Sequence, residues 1–513
     1  MEFVGLCRLP SVTFVVRSMT SFSHKTRQLF RRFRFYPAVL LSFFICPRAS
    51  GDNPTPPVPD HSWAPPKLDK YEQDLAHTNF YDKSIPPAGI DTNRVYDLPA
   101  LIDIAERNNP QTRVSWEQAR QAARAVGLSE STYYPQLAAE AAAGFQHQLA
   151  ALNTVFPGNA AQESATLDLK WLLFDFGGRR ASMLAAKEEL MVATVGFNAT
   201  HQQIVFAVTK SFYDYSTARQ KVGVAETALQ TAQTVGEAAQ ARFDNGLATK
   251  PDVLQAEQET AGAEYDLVAA KGALSDALVA LFSSMGILPT ADLKVAAVTE
   301  KQFEENPEEP LNDLIDRALR QRPDLVAQLA ELRAAQQNVR KARSEYYPKV
   351  SFEASGGYSK LDVNAYNSSY VGNSKPGYGV GLSIDLPIFE GFARQNQLRI
   401  AQSQLRAAES QMADSRDTAV RQVWKAYTDL TTALRKQQSA VKLLEAAQSA
   451  YDASLDAYRH GLGTYVDVAN AQRFLTSAQS TIVDTRSDIF TSTASLALTV
   501  GDLAKPMNST QQP

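Results

Sequence analysis

Two short segments of the chain carry glycine, hydroxyl and carboxylate residues at the same spacing. The residues are Gly246, Leu247, Thr249 and Asp252 in the first segment, and Gly461, Leu462, Thr464 and Asp467 in the second. Thr-x-x-Asp is a capping box, in which the hydroxyl accepts from a backbone amide of the first helical turn and the carboxylate accepts from the amide of the threonine. The preceding glycine suits the left-handed residue that ends a helix. Each segment is therefore predicted to end one helix and start the next.

Catalytic chemistry has no comparable support. The six histidines are scattered without H-E-x-x-H spacing, and neither G-x-S-x-G nor G-x-x-x-x-G-K-[ST] occurs. Gly177-Gly178 lacks the third glycine of a dinucleotide fingerprint. Both cysteines, Cys7 and Cys46, precede residue 50, which leaves no cysteine-ligated metal site in the rest of the chain. We expect no enzyme, no cofactor and no metal site, and the net charge of −4 gives no support for a nucleic-acid partner.

The two segments belong to a duplication. Residues 215 positions apart match at Gly246/Gly461 and Arg179/Arg394, and "STYYPQL" (131–137) is matched by "SEYYPKV" (344–350). Matching landmarks in the same order indicate two copies of one unit. The predicted organisation is an export segment 1–50, a Pro-rich extended segment 51–99, repeat 1 at 100–286, a linker 287–312, repeat 2 at 313–501 and a tail 502–513.

Each repeat has the same predicted order: a helix, two strands, a very long helix and a third helix. The predicted helices are 112–132, 179–244 and 250–284, then 325–345, 394–459 and 465–499. The predicted strands are 137–147, 166–174, 350–358 and 380–388, with loops at 149–162 and 361–376. The first helices end at Tyr-Tyr-Pro because a residue before proline disfavours helix. The first and third helices, stacked end to end, match the length of the long one and could run antiparallel beside it.

The long helices carry a heptad-like pattern of mostly small residues. Steps of three and four residues connect Val222, Ala225, Leu229, Ala232, Gly236, Ala239 and Phe243, and also Ala440, Leu444, Ala447, Tyr451, Ser454 and Tyr458. A period of 3.5 predicts coiled-coil packing, and small seam residues allow a close approach. A helix of this length would span about 100 Å.

The predicted strands alternate between apolar and polar or small residues. The apolar sets are Leu167, Leu169, Trp171 and Leu173, and Val380, Leu382, Ile384, Leu386 and Ile388. The length suits a tilted membrane strand of about 9–11 residues, and aromatic residues at the strand ends resemble an interfacial girdle. Four strands cannot close a barrel, so several chains must contribute, and three would supply twelve strands. After the N-terminal segment, no apolar run predicts a transmembrane helix.

The N-terminus is predicted to be an export signal. Basic residues between Lys25 and Arg34 precede the apolar run "FYPAVLLSFFIC". Met19 is an alternative start, and Cys46 an alternative site of lipidation, against which the bulky Phe44-Ile45 argues.

Residues 95–502 resemble the TolC family of outer membrane efflux and secretion channels. The resemblance rests on the doubled order, on the junctions "FDFGGRR" and "FEGFARQ", and on the turns "GLATKPDV" and "GLGTYVDV". It implies a mainly α fold with membrane β: a homotrimer with a twelve-stranded β-barrel in outer membrane lipid and an α-barrel of long antiparallel coiled-coil helices in the periplasm. It also implies a periplasmic adaptor and an inner-membrane pump or ABC transporter as partners.

The resemblance also implies site residues at the periplasmic mouth. Asp467 matches an acidic ring, and Asn470 stands where many members carry a second acid. Tyr458 matches a tyrosine that tethers the closed state, and Asp252 its acidic partner region. The implied adaptor-binding residues are Gly246, Leu247, Thr249, Gly461, Leu462 and Thr464. Gly463 replaces an arginine that often contributes a closing link.

Other functions remain compatible with the residues alone. A coiled-coil adhesin or scaffold would share the rod, and an adaptor-independent porin would share the strands. For Asp467, both a capping and a gating role fit. Within the family, drug, metal and protein export share the same pattern.

Overall fold

The computed structural model describes residues 68–77, 90–91, 94–148, 158–289, 293–297, 309–365 and 371–503. The predicted export segment lies outside these residues, as do most of the Pro-rich segment and of the C-terminal tail. The chain divides into two compact units, of which the first ends at Asp82. Its described part is helix α1, Leu68–His77, within a segment predicted to be extended. That prediction is wrong for these residues, because the prolines end at Pro66 and strong helix formers follow.

The second unit contains two repeats with the same order of elements. The first comprises β1 (Val95–Tyr96), α2 (Leu98–Asn108), α3 (Pro110–Ser131), β2 (Gln136–Gln148), β3 (Gly158–Phe174), α4 (Gly178–Asp244) and α5 (Lys250–Met285). The second comprises β4 (Lys294–Val295), α6 (Leu311–Gln321), α7 (Pro323–Ser344), β5 (Lys349–Ala365), β6 (Val371–Asp385), α8 (Ala393–Arg459) and α9 (Tyr465–Val500). The predicted two-fold repeat is confirmed.

Helices α4 and α8 each have 67 residues and form a rod with the shorter helices. Helix α3 packs along the start of α4, where Lys187 Nζ lies 3.5 Å from Glu130 Oε1. Helix α5 packs along the remainder, where Lys271 Nζ lies 3.8 Å from Glu226 Oε1. The seam of α8 is buried at Ala440, Ala447, Tyr451 and Tyr458, as a coiled-coil period requires.

Two apolar cores lie at mid-length of the rod. The first contains Tyr96, Leu101, Ile104, Val208, Phe212, Leu281, Phe282, Met285, Leu293 and Val295. The second contains Leu314, Ala318, Val423, Ala426, Leu430, Leu434, Ile489, Leu496 and Val500. Strand β4 comes from the predicted linker and pairs in parallel with β1 from the predicted extended segment. Parts of the predicted extended segment 51–99 and of the predicted linker 287–312 therefore belong to the core. Tyr96 and Val295 are buried there, and only the fold brings these distant residues together.

The four longer strands form one antiparallel sheet in the order β2-β3-β5-β6. Leu137, Leu169, Ala354 and Val380 form one cross-strand row, and Ala138, Asp168, Ser355 and Gly379 form the next. Since neighbouring rows point to opposite faces, one face is apolar and the other is polar or small. Large apolar residues on the first face are exposed, among them Leu382 at 69% and Ile384 at 71%.

The predicted strand boundaries need correction. Strand β3 begins at Gly158, β5 continues to Ala365 and β6 begins at Val371, all inside the predicted loops 149–162 and 361–376. Most residues of these extensions are polar or small. The apolar residues Leu361, Val363 and Val371 fall at odd positions, out of step with the even-numbered apolar positions of β5 and β6, so backbone pairing extends the ladder beyond the apolar pattern. Strand β6 ends at Asp385 rather than 388, since Pro387 has no amide to donate.

An arginine clamps each strand-to-helix junction. Arg179 Nη1 donates to the carbonyl of Leu172 at 2.6 Å, and its Nη2 donates to that of Leu173 at 3.0 Å. Its guanidinium lies 4.8 Å from the ring centre of Tyr133. Arg394 repeats the arrangement with the carbonyl of Pro387 and the ring of Tyr346, 5.6 Å away. The Tyr-Tyr-Pro landmarks thus support the arginines that join sheet and rod.

Candidate functional site

The two glycine turns have the same backbone geometry. Gly246 has φ of 72° and Gly461 has φ of 75°, the left-handed region that costs glycine little. The amide of Leu247 donates to the carbonyl of Arg242 at 2.8 Å, and that of Leu462 donates to the carbonyl of Ala457 at 2.8 Å. Each glycine amide also donates to the carbonyl three residues before it, at 2.9 Å for Gly246 and 3.0 Å for Gly461. Both turns are therefore Schellman motifs, which satisfy the last carbonyls of α4 and α8.

Each turn then restarts a helix with a capping box. Asp252 Oδ2 accepts from the amide of Thr249 at 2.9 Å and from its hydroxyl at 2.7 Å. Asp467 Oδ2 accepts from the amide of Thr464 at 3.0 Å and from its hydroxyl at 2.6 Å. These hydrogen bonds favour the charged form and lower the pKa of both carboxyl groups. A capping aspartate therefore keeps its negative charge, and capping does not exclude an electrostatic role.

The surroundings of the two aspartates differ. Asp467 is exposed and lies one turn before exposed Asn470, whereas the intervening Val468 and Ala469 are buried. The exposed face thus carries one acid and one amide. Asp252 is half-buried, and the positive charge of Arg242 contributes to lowering its pKa. The acid of the second turn therefore faces solvent, whereas that of the first lies near a cation.

Tyr458 lies in the interface between the repeats. Its ring is buried, and the centre of the ring of Tyr465 lies 6.2 Å away. Burial raises the pKa of Tyr458, and that of Tyr465 rises to about 12, so both are neutral phenols. Within the described residues, Tyr458 Oη is buried without a hydrogen-bond partner, and Asp252 uses Oδ2 for its own cap. The hydrogen bonds of this turn therefore contain no tyrosine-to-aspartate link within the chain.

Arg242 makes the contact that sequence reasoning missed. Its Nη1 donates to the carbonyl of Tyr458 at 2.6 Å, and its guanidinium carbon lies 4.7 Å from the centre of the tyrosine ring. The residue matching Arg242 in the second repeat is Ala457. The sequence offered one signal for this contact. The first turn has an arginine near the end of its helix, and the matching position of the second turn has none. At Gly463, an added Cβ would lie 3.3 Å from that of Ala457, a tight contact.

The residues beyond the helix ends form an exposed tip. Leu247 is 69% exposed and Leu462 is 85% exposed, and both glycines and both capping threonines are also exposed. Beside the tip, α4 and α8 enclose a groove of about 640 Å³ whose lining includes Val235, Leu455 and Tyr451. The tip combines small, apolar and hydroxyl groups that suit protein contact.

Other parts of the described chain add little that could carry chemistry. Among the described residues, no group of three or more His, Cys, Asp or Glu side chains could hold a metal ion. Helix α5 is long and apolar enough to cross a membrane by length and composition, with a mean hydropathy of 1.4 over its most apolar window, of which 11% is buried. The sequence had predicted no such helix. The alanine-rich sequence of α5 has the length and apolar composition of a membrane-spanning helix, although the helix packs along α4.

Comparisons with known proteins place this geometry in a family. The family model "Outer membrane efflux protein" matches residues 101–287 and 314–502. The chain is 28% identical over 359 residues to Protein CyaE of Bordetella pertussis, covering 69% of this chain and 73% of that protein. It is 24% identical over 397 residues to the outer membrane efflux protein BepC of Brucella suis, covering 77% and 83%.

A solved structure has the same fold. The outer membrane protein VceC of Vibrio cholerae aligns with a TM-score of 0.68 at 22% identity, covering 79% of this chain and 96% of that one. The family match spans both repeats and most of the chain. The chain therefore belongs to the outer membrane efflux protein family and is a channel protein of the outer membrane that extends into the periplasm.

Proposed function

We propose that three copies of this chain form the exit duct of a tripartite efflux or type I secretion system, closed at its periplasmic mouth until partners open it. The observation that carries the proposal is the open sheet. Its apolar face is exposed and its two edges, β2 and β6, have no partner strand within the described chain. Open edges are not tolerated in lipid, so copies of the chain must complete the ladder. Three copies would supply twelve strands for one barrel.

Aromatic residues lie at the end of the sheet that joins the rod, and they support a lipid–water interface at this position. Trp171 lies in β3, and Phe389 and Phe392 lie at the junction after β6, where both phenylalanines are exposed. Aromatic rings of this kind are favoured at the interface between lipid and water. The apolar band above them would contact outer membrane lipid, and the opposite face with Asp168 and Lys170 would line the lumen.

The rod would become an α-barrel by packing against neighbouring copies. Helix α5 exposes apolar side chains away from α4, including Tyr265 and Val268. An exposed apolar face on a helix in the periplasm needs a protein partner. A homotrimer of these rods would cover that face, which explains why a helix outside the bilayer is apolar enough to resemble a membrane span.

The mouth would be formed by the second turns of the three chains. Three copies of Asp467 would place three negative charges around a narrow opening and favour cations. Asn470 adds no charge, so this ring is weaker than one with two acids per chain. Opening would be a shift of the α8-α9 pair against the α4-α5 pair, driven by partners that bind the open arrangement better.

The partners follow from the tip and from the family. A periplasmic adaptor would contact Gly246, Leu247, Thr249, Gly461, Leu462 and Thr464, which are exposed at the end of the rod. An inner-membrane pump or ABC transporter would supply the energy and choose the substrate. The duct itself is passive and carries out no reaction.

The test combines location, assembly and conductance. The full-length protein is expected in the outer membrane fraction, as a trimer by chemical cross-linking, and as a low-conductance channel in planar lipid bilayers. Absence of conductance from a cross-linked trimer would favour a scaffold or adhesin. Restoration of export without any adaptor gene would favour a porin.

A further inference from the structure

We propose that Arg340 and Arg343 of helix α7 form a binding site for the phosphate groups of anionic phospholipids in the periplasmic leaflet of the outer membrane. The inference rests on the proposed contact of the apolar sheet face with lipid, and it names the lipid that the adjoining part of the rod would bind. Both arginines are exposed near the end of α7, just before the chain enters strand β5.

The two arginines belong to one exposed stripe of α7. Residues at steps of three and four lie on the same face of a helix. The stripe has four exposed members at these steps: Arg333, Gln336, Arg340 and Arg343. Ala334 and Val339, on the two flanks of the stripe, are buried. Three of the four side chains on this face are therefore cations.

Helix α7 lies between two helices of its own chain. On one flank, Val339 and Ala342 pack with Ala401 of α8. On the other flank, the hydroxyl oxygen of Ser344 lies 2.6 Å from the position of an added Cβ at Gly178, the first residue of α4. Since the chain itself occupies both flanks, the stripe faces either the outside of the rod or the inside of the duct.

A series of aromatic contacts favours the outside. Phe174 pairs with Val350, which pairs with Ile384 on the apolar face of the sheet. The ring centre of Phe174 lies 4.7 Å from that of Phe176, and Phe176 stacks on Tyr347 at 5.0 Å with an interplanar angle of 18°. The ring of Tyr347 therefore lies on the apolar, lipid-facing side of the sheet.

Tyr347 lies one turn beyond Arg343 on the same side of α7. The amides of Tyr346 and Tyr347 donate to the carbonyls of Arg343 and Ser344, so the chain keeps turning up to this tyrosine. Along the rod, Arg343 precedes Tyr347 by about 6 Å and Arg340 precedes it by about 10 Å. The headgroup region on each side of a bilayer is about 5–8 Å thick. Both long side chains can therefore reach the phosphates beyond the aromatic rings.

The charges of the site are available for an anion. Among the described residues, Arg343 has no ion-pair partner, and Arg340 donates only to Gln337 Oε1, at 3.4 Å. The nearby acid Glu345 is paired with Lys349, whose Nζ lies 2.5 Å from its Oε2. A guanidinium group matches the geometry of a phosphate with two parallel hydrogen bonds. Two adjacent arginines thus form a site of the right charge and shape.

The first repeat lacks this pair. The residues that match Arg340 and Arg343 are Gly127 and Glu130, and Glu130 Oε1 lies 3.5 Å from Lys187 Nζ. Tyr-Tyr-Pro follows in both repeats, so the junction between rod and sheet forms without the arginines. The site would therefore occur once in each chain, on α7.

The experiment measures lipid binding to the purified full-length trimer by native mass spectrometry. Dioleoyl phosphatidylglycerol is the anionic probe, and dioleoyl phosphatidylcholine is the probe without net charge. The double variant Arg340→Gln/Arg343→Gln is expected to lose about thirtyfold in affinity for phosphatidylglycerol, at roughly fivefold for each arginine near a lipid surface. Its affinity for phosphatidylcholine is expected to change little.

Arg333→Gln is the matched control. It removes the same charge from the same stripe, about 15 Å further from the sheet than Arg343, and is expected to bind both lipids like the unmodified protein. An equal loss in Arg333→Gln and in the double variant would overturn the proposal, since it would report net charge alone. Unchanged phosphatidylglycerol binding in the double variant, with altered ion preference in planar bilayers, would place the stripe inside the duct and also overturn it.

A charge-preserving pair separates binding from structure. Arg340→Lys/Arg343→Lys is expected to keep most of the phosphatidylglycerol binding, and a loss as large as that of the glutamine pair would contradict an electrostatic site. Trimer yield is measured for every variant by cross-linking. If the glutamine pair does not assemble, the single variants Arg340→Gln and Arg343→Gln decide, each with an expected loss of about fivefold.

The unmodified protein separates this inference from the proposed function. If it does not form a trimer in the outer membrane, the proposed exit duct is contradicted. If the trimer forms there and binds the two lipids equally, only the lipid site is contradicted.

Discussion

The two glycine turns share a backbone but differ in what their side chains reach. The residues that determine the local fold are the same: a left-handed glycine, an exposed leucine, a capping threonine and a capping aspartate. The preceding residues differ, with Arg242-Phe243 in the first turn and Ala457-Tyr458 in the second. One arginine therefore crosses from the first turn to the second. The two turns thus have the same backbone structure, but the contact between Arg242 and Tyr458 has no equivalent at the matching position.

The same asymmetry separates the two aspartates. Both are held by threonine caps, yet Asp252 is half-buried with Arg242 nearby, whereas Asp467 is exposed to solvent. The same capping chemistry thus gives two charged carboxylates, of which only Asp252 also has an arginine nearby. The following predictions use the first turn as the matched control for the second.

The largest effect is expected from a bulky residue at the glycine of the second turn. Gly461→Leu and Gly246→Leu both force a side chain into the left-handed region, at about 1–2 kcal/mol each. A loss of about 1.4 kcal/mol lowers the equilibrium constant for forming the turn roughly tenfold. Gly461→Leu also crowds Arg242, whereas no atom lies within 4 Å of an added Cβ at Gly246. We expect export of the substrate of the partner pump or transporter to fall at both sites and further at Gly461, as measured by the amount of that substrate retained in cells.

Trimer yield is the control for the glycine variants. Export that falls while the trimer persists indicates a role at the mouth. Loss of the trimer in both variants would show that the glycines serve folding alone. Equal export defects in the two variants would show that the turns do not differ in function.

A smaller effect is expected from removing the exposed acid. Asp467→Ala and Asp252→Ala lose the same cap, so any difference between them lies outside capping. Removing a unit charge about 7 Å from a passing ion in water changes its energy by about 0.6 kcal/mol, or roughly threefold in cation preference. We expect Asp467→Ala to lower cation preference and raise conductance at low voltage in planar bilayers, and Asp252→Ala to do neither. Equal effects of the two variants would sink the gate assignment.

Adding a second acid near Asp467 is the converse test, because it increases the negative charge at the proposed mouth. Asn470→Asp places a second exposed carboxylate one helical turn after Asp467. Cation preference is expected to rise by about twofold, less than the first charge because the two carboxylates repel each other. Block by an added divalent cation in bilayer recordings should strengthen in parallel. Unchanged block would indicate that this helix face does not line the opening.

The smallest effect concerns pH. Threonine hydrogen bonds lower the pKa of Asp252 and Asp467 from 3.8, so the folded state favours both charged forms. Their stabilising contribution is present above about pH 4 and is lost as the pH falls through the lowered pKa values. Cation preference is expected to stay constant from about pH 8 to pH 5 and to fall only below about pH 4. A change in cation preference near pH 6 would mean that a group other than these aspartates determines it.

Arg242→Met adds a comparison to the titration. Loss of the guanidinium is expected to raise the pKa of Asp252, because the arginine contributes to lowering it, and to leave that of Asp467 in place. Carboxyl resonances followed by NMR in labelled protein would report the two groups separately. A shift of Asp467 instead would mean that the charge of Arg242 acts on the second turn.

Much of the local structure followed from local residues. The predicted helix 394–459 lies within one residue of the observed Ala393–Arg459, because proline-free sequence and a glycine cap define its ends. The strands were predicted only at their apolar parts, because most residues of the extensions are polar or small and Leu361 and Val363 fall out of step with the alternation. The short helices α2 and α6 were not predicted, although Pro110 and Pro323 mark where the helices after them begin. The β1-β4 pair lay outside prediction because its strands have two residues each.

By itself, the sequence determined the duplication, the long coiled-coil helices and the two capped turns, because glycine, proline, threonine and aspartate act on the backbone within a few residues of themselves. Only the tertiary structure decided that Arg242 meets Tyr458 and that Asp252 lies near a cation while Asp467 faces solvent. Arg242 and Tyr458 lie 216 positions apart in the sequence. Their contact depends on the crossing and register of packed helices, and no local pattern specifies these.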